Sequence, residues 1–97
     1  MTTEEIRCLL QSLFEEKGAR LAVLFGSHAR GDHRPESDVD ILARFARGKS
    51  LLDLVAIERG LSDSIGRKVD LVTEAALDPL LKESIEAEMV VLLDHEE

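Results

Sequence analysis

One stretch of the chain, residues 25–42, constrains the fold more than any other. It begins as the end of an apolar segment, breaks at Gly26-Ser27, and re-enters an apolar segment through residues 38–40. Gly26 can adopt backbone angles that other residues avoid, and its missing side chain lets a ligand approach the main chain. Ser27 adds a hydroxyl beside amide N–H groups where a short helix could begin. The Gly-Ser break is therefore a candidate phosphate cradle.

The second apolar segment opens with two carboxylates, Asp38 and Asp40. Side chains alternate with period 2 along a strand, so both acids point to one face while Val39 and Ile41 point to the other. Taken alone, such a pair is also common in solvated turns. Beside a Gly-Ser turn, the pair predicts a site for a divalent cation and a nucleoside triphosphate.

The spacing resembles that of a known family. The Gly-Ser pair at 26–27, ten intervening residues and the Asp-x-Asp at 38–40 resemble the signature of the DNA polymerase β-like nucleotidyltransferases. The residues around both parts are similar to the smallest branch of that superfamily, the minimal nucleotidyltransferases that include the MntA-type antitoxins. Residues 68–72 resemble the strand on which the family places its third carboxylate, and residues 83–93 are similar to the family's ending. The resemblance covers nearly the whole chain and implies a polymerase β-like nucleotidyltransferase fold.

Length and composition predict one domain over residues 1–97. Apolar residues make up 44% and charged residues 33% of the chain, which is typical of a globular protein. The net charge of −8 argues against polymeric DNA or RNA as a substrate, because nucleic-acid binding draws its affinity largely from Lys and Arg. ATP remains compatible with this charge, since a bound cation and local basic residues can offset it.

The chain shows no sign of export or membrane insertion. Its start lacks the basic and apolar regions of a signal peptide, and no apolar run approaches the ~18 residues of a membrane span. A cytoplasmic location is expected. The single cysteine, Cys8, lies between inward positions of the first predicted helix, so a buried or half-buried thiol is expected.

Alternating helices and strands predict an α/β (α+β) domain with a small mixed β-sheet of about four strands flanked by helices. Apolar periodicity and capping residues set the bounds. The predicted elements are a helix from Thr3 to Lys17, strands Arg20 to Phe25 and Asp38 to Phe45, a helix capped at Ser50 and ending at Gly66, strand Val69 to Thr73, a helix from Asp78-Pro79 to Glu88, and strand Val90 to Leu93, with a short helical turn over His28 to Gly31.

Two helical stripes are assigned to the core, although the same spacing could serve a partner surface. They comprise Leu51, Leu54, Val55, Leu61 and Ile65 in the middle helix, and Leu80, Leu81 and Ile85 in the last helix.

The register of the third strand predicts where Asp70 points. If Val69 and Leu71 pack under the helices together with Val39, Asp70 must point to the opposite face, which Asp38 and Asp40 share. Three carboxylates would then converge in an arrangement that suits a two-metal phosphoryl-transfer site. The alternative is that Asp70 is an ordinary exposed residue on an edge strand.

The resemblance implies roles for these residues. Asp38 and Asp40 would bridge Mg²⁺ ions, two being expected and Mn²⁺ being an alternative, while Asp70 would ligate the second ion and help deprotonate the incoming hydroxyl. Gly26 and Ser27 would hold the β- and γ-phosphates.

Two further residues of the loop are nucleotide-binding candidates with open alternatives. Arg30 either neutralises the leaving pyrophosphate or forms a structural salt bridge. Ser37 either contacts the nucleotide or, as its position favours, caps the strand entry. His28 and His33 have poor spacing for zinc and are assigned to the surface. The acidic cluster formed by Glu83, Glu86 and Glu88 is assigned to a solvated helix face.

The resemblance also implies a donor and a partner. The donor would be ATP, and the acceptor would be a tyrosine hydroxyl on a helical HEPN ribonuclease toxin, which adenylylation would inactivate. The chain contains no Tyr, so it cannot modify itself on that residue. One alternative is a non-catalytic antitoxin whose acidic surface neutralises a basic toxin by binding. Another is a transferase acting on a small alcohol, which the shortness of the chain disfavours.

Overall fold

The computed structural model describes residues 3–26, 38–73 and 78–95, and all structural statements concern these residues. The elements in chain order are α1 (Thr3–Glu16), β1 (Ala19–Phe25), β2 (Val39–Phe45), α2 (Leu51–Ile65), β3 (Val69–Thr73), α3 (Pro79–Glu88) and β4 (Val90–Asp94). The predicted type of each of these elements is confirmed, and the predicted bounds differ by about one residue. The predicted turn at 28–31 lies outside the described residues. No described helix is long and apolar enough to cross a membrane.

The four described strands form one mixed sheet in the order β3-β2-β1-β4. β1 pairs antiparallel with both β2 and β4, whereas β2 pairs parallel with β3. Parallel neighbours need a crossover connection, and α2 supplies it between β2 and β3. The predicted mixed sheet flanked by helices is confirmed.

The two faces of the sheet bury different residues. One face packs against α1 and α2, and its core includes Leu10, Phe14, Val39, Ile41 and Val69. The other face is covered in part by α3 and holds a smaller cluster of Val23, Phe25, Leu42 and Ile85. The period-2 alternation along β2 therefore separates two cores, and Asp40 belongs to the face with the smaller one.

Local side-chain bonds define both ends of α2. The Ser50 hydroxyl accepts a hydrogen bond from the Asp53 N–H, and the Asp53 carboxylate accepts one from the Ser50 N–H, both at 3.1 Å. This capping box satisfies two N–H groups that the helix leaves unpaired. Gly66 ends the helix with φ +68°, a left-handed conformation that favours glycine. Asp78 caps α3 in a similar way, since its carboxylate accepts from the Leu80 N–H at 2.8 Å.

The core assignment of three leucine and valine side chains is wrong. Leu51 is 76%, Val55 44% and Leu80 79% exposed. The reason is angular: at 100° per residue, Val55 lies about 120° and Leu51 about 80° around the axis from Leu61, the centre of the buried stripe of α2. Leu80 lies about 140° from the buried Ile85 on α3. The predicted burial of Leu61, Ile65 and Ile85 is confirmed, and the side chain of Leu81 is not described.

The predicted burial of Cys8 is also wrong, since its thiol is exposed. Ile6, Leu10 and Phe14 form the buried stripe of α1. Cys8 lies two residues from both Ile6 and Leu10, about 160° around the helix from each, and therefore faces solvent.

Candidate active site

Two neighbouring parallel strands carry Asp40 and Asp70, and Asp38 lies at the entry to the first of them. Asp40 of β2 is the register partner of Asp70 in β3, and Val39 is the partner of Val69. The Val39 N–H donates to the Lys68 carbonyl at 2.8 Å, which ties the two strand entries together. Val39 and Val69 are both fully buried in the larger core. Alternation along each strand therefore directs Asp40 and Asp70 to the opposite face of the sheet.

Lys68 joins two of the carboxylates across the strand entry. Its Nζ lies 3.9 Å from Asp38 Oδ2 and 3.9 Å from Asp70 Oδ1. The side chains of Asp38 and Asp70 are 43% and 40% exposed, so this ion pairing is screened by solvent. The lysine ammonium nevertheless shows that a cation can sit between these two acids.

The pKa of Asp70 is raised above its ordinary value. Partial burial is the largest cause, and the Asp38 and Glu58 carboxylates add repulsion, while Lys68 acts in the opposite direction. A neighbouring negative charge disfavours ionisation in this way. A divalent cation beside Asp38 and Asp70 would relieve the same repulsion.

Gly26 lies beside Asp40, at the end of β1. Gly26 directly follows Phe25, the last residue of β1 and the register partner of Asp40. The φ of Gly26 is +76°. A Cβ on Gly26 would overlap Asp40 Oδ2 and lie 3.3 Å from Asp40 Cγ. Both the backbone conformation and the close approach of the carboxylate therefore require glycine.

The remaining residues of the predicted site lie outside the described part of the chain. These are Ser27, Arg30 and Ser37, together with the loop histidines His28 and His33. The structure thus places the Asp40 carboxylate against Gly26. It also places Asp38 and Asp70 close enough together to share the Lys68 ammonium. It leaves the nucleotide-binding assignments of Ser27, Arg30 and Ser37 as predictions.

The donor set suits a hard divalent cation, which prefers carboxylate oxygen. Within residues 3–26, 38–73 and 78–95, no group of three His, Cys, Asp or Glu side chains is close enough to hold a metal ion. The observations that favour a cation are the lysine ammonium shared by Asp38 and Asp70 and the raised pKa of Asp70. The convergence of Asp38, Asp40 and Asp70 on one metal site therefore stays a prediction.

Three residues that support the arrangement were missed in the sequence. Lys68 lies two residues before Asp70 on the same extended segment, a period-2 relation that could have revealed it. Ser62 and Glu58 of α2 accept from the N–H groups of Val69 and Leu71, each at 2.9 Å. No sequence pattern marks the last two, because they reach β3 across a tertiary contact.

The aspartate-bearing face is only partly covered. A groove of about 560 Å³ lies between α3 and the sheet, lined by Val23, Leu42, Ile85, Met89 and Val91 among others. Leu42 follows Asp40 by two residues and so lies on the same face of β2. Asp38, Asp40 and Asp70 do not line this groove, and the partial exposure of the Asp38 and Asp70 side chains is what opens the site to solvent.

Comparison with known proteins identifies similar sequences. Residues 4–92 match the Nucleotidyltransferase domain family. A Methanocaldococcus jannaschii protein, provisionally named a protein adenylyltransferase, is 40% identical over 93 residues, which span 96% of this chain and 100% of the relative. The protein adenylyltransferase MntA of Thermococcus cleftensis is 36% identical over 94 residues, which span 93% of this chain and 95% of the relative.

Solved structures share the same fold. One, provisionally described as a minimal nucleotidyltransferase, is 37% identical with a TM-score of 0.76, and the match covers 93% of this chain and 95% of the other. A second comes from the complex of a tri-AMPylated Shewanella oneidensis HEPN toxin with an MNT antitoxin. It is 18% identical with a TM-score of 0.78, and the match covers 96% of this chain and 73% of the other. The second likeness concerns the fold alone.

Proposed function

We infer the activity from one established fact: this chain belongs to the Nucleotidyltransferase domain family. The predicted family and polymerase β-like fold are thereby confirmed. We propose that the protein transfers AMP from ATP to a tyrosine hydroxyl of a partner HEPN ribonuclease toxin and so inactivates the toxin. The names of relatives 40% and 36% identical to this chain support protein adenylylation.

One observation in the structure carries the proposal. The Asp40 carboxylate occupies the space that a side chain on Gly26 would need, while Asp70 is its register partner on the adjacent parallel strand. A structural strand pair has no need for acids placed side by side against a glycine. Phosphoryl transfer does need them, because carboxylates can hold the divalent cations that neutralise a triphosphate, and the glycine leaves the main chain open beside it.

The chain's own groups suggest how the transfer proceeds. The acceptor oxygen attacks the α-phosphorus of ATP, the bond from that phosphorus to the β-phosphate bridging oxygen breaks, and pyrophosphate leaves. Asp70, the register partner of Asp40 on the adjacent strand, is proposed to take the hydroxyl proton as a general base. Gly26 leaves the main chain open to the triphosphate.

Mg²⁺, held by Asp38, Asp40 and Asp70, would neutralise phosphate charge, and Mn²⁺ is the alternative. Ser27 is proposed to bind phosphate with Gly26.

The assignments in the loop and the cellular setting complete the proposal. Arg30 is proposed to neutralise pyrophosphate, and Ser37 to contact the nucleotide or cap the entry to β2. The protein would act in the cytoplasm, where ATP and a ribonuclease toxin are both present.

The test replaces Asp40 of β2 and Asp38, which directly precedes this strand. The Asp38→Asn, Asp40→Asn double variant should lose AMP transfer by at least about a hundredfold, because carboxylates that hold the reacting groups contribute several kcal/mol to the transition state. The measurement is the mass of the toxin after incubation with ATP and Mg²⁺. Asp63→Asn, an exposed acid on α2, is the matched control and should transfer normally. Transfer by the double variant at the normal rate would refute the assigned roles.

A second candidate function is neutralisation by binding alone. The net charge of −8 favours it, since an acidic surface complements a basic RNA-cutting protein. The same experiment separates the two candidates. A toxin that gains the mass of one or more AMP groups supports the transferase, whereas a stable complex without any mass change supports the binder.

A further inference from the structure

A surface far from the aspartates combines exposed leucines with positive charge. It is formed by Arg47, Lys49, Leu51, Leu52 and Val55, at the β2–α2 connection and the start of α2, and is called the docking face here. Leu51 is 76%, Leu52 81% and Val55 44% exposed. Single exposed apolar residues are common, but three within five residues beside two cations form a patch.

The docking face is held in place by its own neighbours. The capping box between Ser50 and Asp53 fixes the first turn of α2 and engages the nearest carboxylate. The Lys49 ammonium lies over the Phe45 ring, 5.8 Å from its centroid. A partner would therefore meet side chains on a structured helix start, which lowers the entropic cost of binding.

Its charge is opposite to that of the molecule. The chain carries 20 acidic against 12 basic residues, whereas residues 44–55 contain three cations and one acid, Asp53, which is engaged in the capping box. A hollow of about 280 Å³, lined by Phe45, Arg47, Lys49 and Leu54 among others, opens between these cations and α2. Such a hollow can accept a carboxylate, with the leucines covering apolar surface beside it.

Charge and composition select the kind of partner. A symmetric dimer through this face would bring the Arg47 and Lys49 side chains of both copies into one interface, and the like charges disfavour it. Single-stranded nucleic acid needs open aromatic platforms, but Phe14 and Phe25 are buried, Phe45 is half-buried with the Lys49 ammonium over its ring, and the chain has no Trp or Tyr. We propose that the docking face binds a protein surface that presents an apolar centre bordered by Asp or Glu.

The position of the docking face relates it to the proposed transfer. Phe45, at the end of β2 nearest this face, lies five residues from Asp40, roughly 17 Å along the strand. A helix of about 12 residues covers that distance. If the proposed function holds, on which this identification rests, the partner is the toxin. A local acid-bordered patch of the toxin, separate from its basic RNA-cutting surface, is then anchored at one end of β2 while its acceptor hydroxyl reaches the other.

The experiment measures binding without nucleotide, so that it does not depend on AMP transfer. Purified HEPN toxin is titrated into the full chain by calorimetry. Arg47→Glu with Lys49→Glu, and separately Leu51→Ser with Leu52→Ser, should each weaken the dissociation constant by at least about tenfold. Added salt should weaken wild-type binding and have a smaller effect on the charge-reversed variant.

Matched controls lie elsewhere on the surface. Lys82→Glu reverses an exposed cation of α3, and Leu80→Ser removes a leucine of the same helix that is 79% exposed. Both should bind within about twofold of wild type, as expected of substitutions outside an interface. Thermal melts check folding, and the single variant Leu52→Ser replaces the double leucine variant if the latter unfolds.

Each outcome decides the matter. Wild-type affinity in both docking-face variants, or no wild-type binding at all, overturns the docking face as the toxin's site. Loss of binding confined to the docking-face variants supports it. If that loss is found while the wild type transfers no AMP, the docking face stands and only the proposed activity falls.

Discussion

Gly26 shows how much one residue can require of a site. Its φ of +76° is costly for any residue with a Cβ, and the space beside its Cα is taken by the Asp40 carboxylate. The two constraints are separate, because Gly66 has a similar φ of +68° with nothing within 4 Å of an added Cβ. Gly26 is therefore required both by the turn and by the acid.

Gly26→Ala should lower the free energy of unfolding by about 1–3 kcal/mol and reduce AMP transfer by roughly a hundredfold, because Asp40 must shift. Urea denaturation and toxin mass measure the two effects. Gly66→Ala reports the backbone cost alone and should leave transfer nearly intact. Equal transfer by the Gly26 and Gly66 variants would contradict the proposed contact with Asp40.

Gly60→Ala, within α2 and with open space around it, should raise the free energy of unfolding by about 0.5–1 kcal/mol, because alanine favours the helix.

The edge strand β3 depends on α2 for its orientation. Its outward N–H groups, those of Val69 and Leu71, are accepted by Ser62 Oγ and Glu58 Oε2 at 2.9 Å. Ser62 in turn donates to the Glu58 carbonyl at 2.9 Å. An unpaired edge would be open to foreign strands, and these bonds cover it. Because they flank Asp70 on both sides, they also hold its side chain toward the aspartate-bearing face.

Glu58→Ala should lower the free energy of unfolding by about 1–2 kcal/mol, since the half-buried Leu71 N–H loses its acceptor. Glu58→Gln keeps an acceptor oxygen and should retain most of the stability. Urea denaturation gives the energies, and hydrogen exchange at the Leu71 amide should accelerate in the alanine variant alone. If exchange is unchanged there, the bond across the strand edge does not protect that amide.

At the scale of the whole molecule, repulsion between negative charges near Asp70 lowers the stability of the folded state. The net charge is −8, and Asp70 has Asp38 and Glu58 as negative neighbours. Its pKa is raised in the folded state, so folding favours the protonated form. The resulting penalty is present above the folded-state pKa of Asp70 and is relieved as the pH falls through that value.

Asp70→Asn should therefore make the metal-free protein slightly more stable at pH 7, while abolishing efficient AMP transfer. The gain should not exceed about 3 °C in melting temperature, because substitutions of partly exposed residues usually stay within about 0.5 kcal/mol. The gap between variant and wild type should narrow as the pH falls through the raised pKa of Asp70, because the acid is then protonated in the folded state. Melting curves in a chelator measure it, with Asp63→Asn as the control. A gap that is the same at pH 7 and pH 4 would contradict the raised pKa.

The ends of the helices and the shared orientation of Asp40 and Asp70 could be predicted from the sequence. Ser50 with Asp53, Gly66, and Asp78 with Pro79 mark helix ends through interactions within a few residues. Alternation in residues 38–41 and 69–71 predicts that Asp40 and Asp70 share a face, because strand geometry has a fixed period. Short-range geometry of this kind needs no knowledge of the rest of the fold.

The tertiary structure alone decided which surfaces are covered. Leu51, Val55 and Leu80 lie on apolar positions that no described element packs against, so they are exposed. The bonds from Glu58 and Ser62 to β3 join residues separated by 13 and 7 positions. Helical spacing gives the angle of each residue around its own axis, but which angles are covered depends on where neighbouring elements end and how they pack, and that is decided by the tertiary structure.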